Sequence, residues 1–126
     1  MSITLQPLRP GQTRLLWASF LINVTGMLFF LPPLAPLRTL FGLPEAPAFY
    51  LWLVASWILI LGLGYLAMAL AGKLNRPTLA VGAACKITFG LLVLGGVASG
   101  RFPVQASALA LTDLGLAALY LRWLRE

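Results

Sequence analysis

The chain has 126 residues, of which 60% are hydrophobic and only 10% carry a charge. A water-soluble domain has about 25% charged and about 45–50% apolar residues, so this composition excludes a soluble monomer. Nine Lys or Arg against three Asp or Glu give a net charge of +6, but the basic residues are scattered between apolar stretches, which does not predict a nucleic-acid partner. One cysteine and no histidine exclude a disulfide framework, a histidine-ligated metal site and a Ser-His-Asp triad.

Four apolar stretches are each long enough to cross a bilayer, for which a helix needs about 17–25 residues. The first ends at Pro32 and Pro33, the second ends before Lys73, and each of the last two contains one ionisable residue. None shows the strict alternation of a transmembrane strand. We therefore predict an all-α membrane protein, one integral-membrane domain over residues 1–126, with four transmembrane helices in an antiparallel bundle. The predicted helices cover residues 15–31, 48–71, 79–99 and 104–121.

The basic residues that flank these stretches predict the direction of the chain, because cytoplasmic loops of membrane proteins carry the excess of Lys and Arg. Only Arg38 and Arg101 flank the helices on one side, whereas six basic residues flank them on the other. We expect a multi-pass membrane protein with both termini and the connection between the second and third helices in the cytoplasm. Cleavage of the first stretch as a signal peptide is the alternative, disfavoured by the prolines and leucine that follow it. The six residues are Arg9, Arg14, Lys73, Arg76, Arg122 and Arg125.

The connection over residues 32–47 holds five of the nine prolines. Its central segment, residues 37–43, is apolar enough to lie in the membrane interface. We expect a rigid connector that rests on lipid headgroups, and a binding lid is the alternative.

Two ionisable residues, Lys86 and Asp113, lie within predicted helices. At mid-helix such a residue costs about 2.5–3.5 kcal/mol on insertion scales, so each should face protein or water and have a partner. Lys86 follows Arg76 by ten residues and Asp113 precedes Arg122 by nine. At a rise of about 1.5 Å per residue, both lie roughly 13–15 Å from the same membrane boundary. The sequence therefore predicts a Lys86–Asp113 ion pair.

The first two helices each place a polar side chain at a similar depth. Asn23 follows Arg14 by nine residues and Tyr65 precedes Lys73 by eight, which corresponds to roughly 12–14 Å. Small residues at helical spacing share a face with each polar residue, and small residues let membrane helices approach closely. We predict that Asn23, Tyr65, Lys86 and Asp113 form one buried polar layer. The small residues are Ser19, Gly26, Gly62, Ala69, Gly72, Gly82, Gly90, Ala106, Ala110 and Ala117.

Such a layer has three interpretations: a clamp that fixes helix packing, a pocket for a small ligand, or an ion or proton path. One ion pair favours the clamp, whereas four converging polar residues favour the pocket. The sequence contains no catalytic motif, so an enzyme acting alone is not expected, and Cys85 is expected to be a buried, inert thiol. No cofactor is predicted, and a quinone or a lipid is the ligand class that suits the pocket.

Short motifs along the chain carry a family resemblance. They are Phe-Phe-Leu-Pro-Pro at 29–33, Phe-Gly-Leu-Pro at 41–44, Phe-Tyr-Leu-Trp at 49–52, Gly-Leu-Gly-Tyr at 62–65, Gly-Ala-Ala-Cys-Lys at 82–86, Thr-Asp-Leu at 112–114 and Leu-Arg-Trp at 121–123. In these the chain resembles the DoxX-like family of small bacterial four-helix membrane proteins, over nearly its whole length. The resemblance implies an inner-membrane protein, and some members are subunits associated with quinone-linked or sulfur-oxidising oxidoreductases. No catalytic or quinone-binding motif is matched residue by residue.

The expected function is that of an accessory membrane subunit or a small hydrophobic-ligand-binding protein. Membrane lipid, a membrane oxidoreductase or a second copy of the chain are the expected partners. A small proton-coupled transporter acting as a homodimer and a structural assembly partner are the alternatives. A water-accessible path to Asp113 would favour transport, a dry Lys86–Asp113 contact would favour a structural role, and a closed apolar cavity beside Tyr65 and Asn23 would favour a lipid or quinone.

Overall fold

A computed structural model describes residues 5–126, which contain five α-helices, two 3-10 turns and two short strands. Four helical segments are long and apolar enough to cross a membrane, which confirms the predicted number. The strands and helices are β1 (Leu5–Pro7), α1 (Pro10–Phe30), α2 (Ala35–Leu40), α3 (Ala48–Ala71), β2 (Lys73–Asn75), α4 (Arg76–Ala98) and α5 (Ser107–Arg125). The 3-10 turns, Pro32–Leu34 and Val104–Ala106, precede α2 and α5.

The ends of the helices follow local sequence signals. Pro10 opens α1, where the missing backbone N–H is not needed by the helix. The side chain of Asn75 caps α4 by accepting a hydrogen bond from the Thr78 backbone N–H at 3.0 Å. Gly72 ends α3 with a φ of 66°, a left-handed conformation that glycine adopts readily.

The observed helix bounds correct three of the four predicted ones. The prediction of 48–71 agrees with α3, but α1 and α4 begin earlier than residues 15 and 79, and α5 extends past residue 121 to Arg125. These differences arise because the prediction follows the apolar stretch, which ends near a charged residue such as Arg14 or Arg122. The backbone hydrogen bonds of a helix continue through such a residue. The connection over 32–47 also differs from the prediction, since it contains a 3-10 turn and α2.

The strands β1 and β2 pair in antiparallel register, with Leu5 opposite Asn75, an addition to the all-α prediction. Close by, the backbone N–H of Leu8 donates to the carbonyl of Gly72 at 3.0 Å. Residues 124–126 lie beside these strands. Glu126 forms an ion pair with Arg9, and the Leu124 carbonyl accepts a hydrogen bond from the Arg76 side chain. We call this the terminal end of the bundle, defined by residues 5–9, 72–76 and 124–126.

The opposite end is formed by the segment after α2 and the connection between α4 and α5. The rings of Phe41 and Phe29 pack edge to face with centroids 5.1 Å apart, and Gly42 contacts Pro103. We call this the loop end.

The long helices pack in two pairs, α1 along α3 and α4 along α5. A large buried cluster near the terminal end joins all four helices, and includes Leu16, Tyr65, Leu79 and Tyr120. A second, smaller cluster toward the loop end joins only α4, the second 3-10 turn and the start of α5, through Val93, Ala106 and Ala110. The two helix pairs are therefore packed together more completely at one end than at the other.

Candidate functional site

Lys86 is the centre of the polar layer and is almost fully buried. Its Nζ lies 3.1 Å from Oδ1 of Asp113 on α5, so the predicted ion pair is present. The same Nζ donates to Oδ1 of Asn23 on α1 at 3.0 Å. One ammonium group therefore connects α4 to a helix of each pair.

Asn23 extends the network to α3. While its Oδ1 accepts from Lys86, its Nδ2 donates to the backbone carbonyl of Ile58 at 2.9 Å. Both ends of the side-chain amide thus have partners, as a buried amide requires. The result is a continuous set of polar contacts through all four long helices.

Tyr65 lies beside this network but contributes its ring rather than its hydroxyl. The Lys86 Nζ is 5.7 Å from the centroid of the Tyr65 ring, within the range of a cation–π interaction. The Tyr65 hydroxyl has no hydrogen-bond partner among residues 5–126 and lies against Gly82, where a Cβ atom would overlap it. The structure therefore brings all four predicted residues together, but hydrogen bonds join only Asn23, Lys86 and Asp113.

A second pair of polar residues, Ser19 and Tyr120, was not predicted as part of the site. The Tyr120 hydroxyl donates to Oγ of Ser19, which donates to the Leu15 carbonyl at 2.8 Å. The rings of Tyr120 and Tyr65 are in contact, with centroids 5.4 Å apart. A sequence signal for Tyr120 does exist, because it follows Asp113 by seven residues, which is two helical turns and the same face.

An apolar cleft of ≈ 880 Å³ opens beside the polar network. All four long helices line it, with large side chains such as Phe29, Phe30 and Trp57 in its walls. Asn23, Tyr65, Lys86 and Asp113 also line it, so the polar cluster forms part of the wall of an otherwise apolar space. The cleft is open, because residues of its wall such as Trp57 are more than half exposed.

Cys85 corrects one expectation. It is exposed and lies in the wall of the cleft, whereas the sequence analysis placed it in the buried packing. Adjacent residues of a helix point about 100° apart, so burying Lys86 turns its neighbour Cys85 outward.

The network leaves hydrogen-bonding groups for a ligand. The protein contacts above use Oδ1 of Asp113 and two of the three N–H groups of Lys86. Among residues 5–126, Oδ2 of Asp113 and one N–H of Lys86 have no such contact and can bind a carbonyl, hydroxyl or water. Within residues 5–126 no group of three His, Cys, Asp or Glu side chains is placed to hold a metal ion.

Comparison of the chain with known protein families, curated proteins and solved structures finds no match. The class of protein is assigned from the helices and the site described above. Its four long apolar helices make it a multi-pass membrane protein. Its candidate site is a polar cluster within the bundle, in the wall of an apolar cleft.

Proposed function

We propose that this chain is a DoxX-like protein of the bacterial inner membrane that binds a small hydrophobic ligand with a polar head, a quinone or a lipid, as an accessory membrane subunit. The observation that carries the proposal is the cleft of ≈ 880 Å³ with Asn23, Lys86 and Asp113 in its wall. Small-molecule sites are commonly clefts of about 300–1,000 Å³ with mostly apolar walls and a few polar groups that orient the ligand. The cleft has this size and this composition.

The cleft is open, whereas the sequence analysis took a closed apolar cavity as the sign of a lipid or quinone site, and its open side suits entry from the bilayer. Three residues of its wall are more than half exposed: Leu21, Trp57 and Leu92. Each lies well inside its helix, at a depth where the surface of a membrane helix contacts acyl chains. An apolar ligand would therefore reach the cleft without crossing water. Its head would meet the free N–H of Lys86 and the free Oδ2 of Asp113.

The proposal includes an antiparallel arrangement of the four long helices with both termini in the cytoplasm. The terminal end gathers the start of the chain, the α3–α4 connection and the end of the chain. Four of the six flanking basic residues lie in these segments, and the other two, Arg14 and Arg122, lie in the helical turns next to them. The positive-inside rule favours the cytoplasm for this end.

The alternatives account for less of the geometry. A structural clamp explains the ion pair and the contacts of Asn23 but does not require an open cleft beside them. A proton-coupled transporter needs a carboxylate that is free to exchange protons, whereas Lys86 holds Asp113 in an ion pair. The ligand-binding function uses both the network and the cleft.

A fluorescence titration with the short-chain quinone decylubiquinone tests this function, because Trp57 lies in the wall of the cleft and quinones quench tryptophan emission. We expect a saturable component of the quenching that is lost in Trp57→Phe, while the emission of Trp17, Trp52 and Trp123, which do not line the cleft, remains. Ala84→Phe places a ring in the cleft and should weaken binding about tenfold, the effect of losing about 1.4 kcal/mol. Ala80→Phe is the matched control, since Ala80 is also exposed on α4, one turn earlier, but does not line the cleft.

Equal quenching in the wild type, Ala84→Phe and Ala80→Phe would contradict quinone binding in the cleft. Native mass spectrometry of protein extracted with its surrounding lipids then identifies the ligand class, since a retained quinone, a retained lipid and a partner subunit differ in mass. A homodimer with no retained molecule would instead favour transport, and a proton flux that Asp113→Asn abolishes would establish it.

A further inference from the structure

Arg38 is the buried residue of α2 and lies outside the polar cluster described above. Only 6% of its surface is exposed, and its Nε and Nη1 atoms have no hydrogen-bond partner among residues 5–126. A buried charged group is strongly disfavoured unless its hydrogen bonds are made. The guanidinium of Arg38 therefore lacks partners that it needs.

The chain has no free carboxylate near enough to serve as the counter-ion. It contains three acidic residues, and none is among the first four. Asp113 pairs with Lys86, and Glu126 pairs with Arg9 and Arg122 at the terminal end. Glu45 is exposed and forms no ion pair with Arg38. The counter-ion of Arg38 must come from outside the chain.

The position of α2 indicates what that counter-ion is. The helix begins five residues after the end of α1, and the segment that follows it contacts Phe29 of α1 and Pro103 of the α4–α5 connection. It thus lies across the loop end, at the depth where a membrane helix ends and the headgroups begin. Leu40 of the same helix is 67% exposed while Arg38 is buried, so α2 turns its charge toward the protein and an apolar side chain outward.

We propose that the Arg38 side chain, whose Nε and Nη1 are shielded in this structure, turns toward the headgroups to bind a phosphate group at the loop end, supplied by a phospholipid headgroup or by free phosphate. A guanidinium has five N–H donors in a planar arrangement that matches the oxygens of phosphate, and its charge-assisted hydrogen bonds to phosphate are among the strong ones. Phosphate is the abundant anion at the depth of α2. This site is independent of the proposed function, because Arg38 does not line the cleft.

Thermal melting of the full-length protein in neutral detergent tests the proposal with three probes: phosphatidylglycerol, diacylglycerol with the same acyl chains, and inorganic phosphate. We expect phosphatidylglycerol to raise the melting temperature and diacylglycerol, which lacks the phosphate, to leave it unchanged. Stabilisation by inorganic phosphate at similar concentrations would identify free phosphate as the source, whereas its absence would identify the lipid.

Two arginine variants make the test specific. Arg38→Met should need about ten times more phosphatidylglycerol for the same shift, since charge-assisted hydrogen bonds are lost. Arg101→Met is the control, because Arg101 is exposed in the α4–α5 connection near the same end. An equal response of the wild type and Arg38→Met, or a response to diacylglycerol equal to that of phosphatidylglycerol, would overturn the proposal.

The melting temperature without any probe gives a second criterion. Removal of an unpaired buried charge is expected to leave the protein as stable as the wild type or more stable. If Arg38→Met instead melts far lower in phosphate-free detergent, or does not fold, then Arg38 has a partner within the protein and the proposal is wrong. Native mass spectrometry of the wild type needs no variant and should show a phospholipid retained in preference to diacylglycerol.

Discussion

The bundle has a terminal half, from the terminal end to the polar network of Asn23, Lys86 and Asp113, and a loop half, from that network to the loop end. The two halves differ in how the helix pairs meet. In the terminal half, Leu16, Tyr65, Leu79 and Tyr120 form one buried cluster that includes every long helix. In the loop half, the cleft lies between the pairs, which meet at the edge-to-face contact of Phe30 and Phe89. The buried cluster there joins only α4, the second 3-10 turn and the start of α5. We infer that the terminal half supplies most of the stability while the loop half supplies space for a ligand.

Side-chain size explains the difference. At the terminal half, Gly82 lets α4 approach so closely that the Tyr65 hydroxyl occupies the place of a Cβ atom. At the loop half, Phe30 of α1 and Phe89 of α4 meet edge to face with ring centroids 6.4 Å apart. Large rings hold helix axes apart, whereas small residues let them approach. The polar network lies at the boundary between the two halves.

The largest expected effect comes from removing the ring at the centre of the terminal half. Tyr120→Ala deletes the contacts with Tyr65 and Trp123 and the hydrogen bond to Ser19, so we expect a loss of about 3–5 kcal/mol in the free energy of unfolding. Trp57→Ala removes a larger ring from the cleft wall, but Trp57 is 57% exposed, so this variant should change the free energy of unfolding by less than about 1 kcal/mol. Unfolding in mixed micelles measures both, and equal losses would show that the halves contribute equally.

The next effect concerns the boundary between the halves. Lys86→Ala leaves the Asp113 carboxylate without its partner, and breaking a buried pair costs about 3–5 kcal/mol. Because the Asp113 side chain is 20% exposed, we expect a smaller loss, about 2–3 kcal/mol, after allowance for solvent. The double variant Lys86→Ala with Asp113→Ala should be more stable than the single variant, since no unpaired charge remains. Equal unfolding midpoints for the two variants would mean that the pair does not form.

A matched pair of glycines on α4 compares the halves more finely. Gly82→Ala places a Cβ atom against the Tyr65 hydroxyl in the terminal half, and overpacking of this kind costs about 1–3 kcal/mol. Gly95→Ala, toward the loop end of the same helix, meets nothing within 4 Å and should be neutral or stabilise the protein by about 0.5–1 kcal/mol. A Gly82→Ala variant as stable as Gly95→Ala would show that α3 and α4 can separate without loss.

The sequence predicts the helices and the depth of the polar residues because both depend on distance along one helix. A rise of about 1.5 Å per residue is enough to place Lys86 level with Asp113. The separation of the helix pairs could not be predicted, since it depends on which side chains of different helices meet, as Phe30 and Phe89 do. The burial of Arg38 was missed for the same reason, because an arginine beside a membrane stretch counts as a flanking charge whichever way its helix is turned.

The smallest expected effect tests whether the terminal half depends on a local contact as well as on its core. Asn75→Ala removes the cap of α4, whose Oδ1 accepts from the Thr78 backbone N–H at 3.0 Å, and loss of such a cap costs about 1 kcal/mol. Asn75→Asp keeps an acceptor at this position and should retain most of the stability. Hydrogen exchange should show faster exchange in the first turn of α4 for Asn75→Ala and no change toward the loop end, near Val93. A change of equal size at both ends would mean that the halves unfold as one unit, and the division between a stabilising half and a binding half would then describe packing alone.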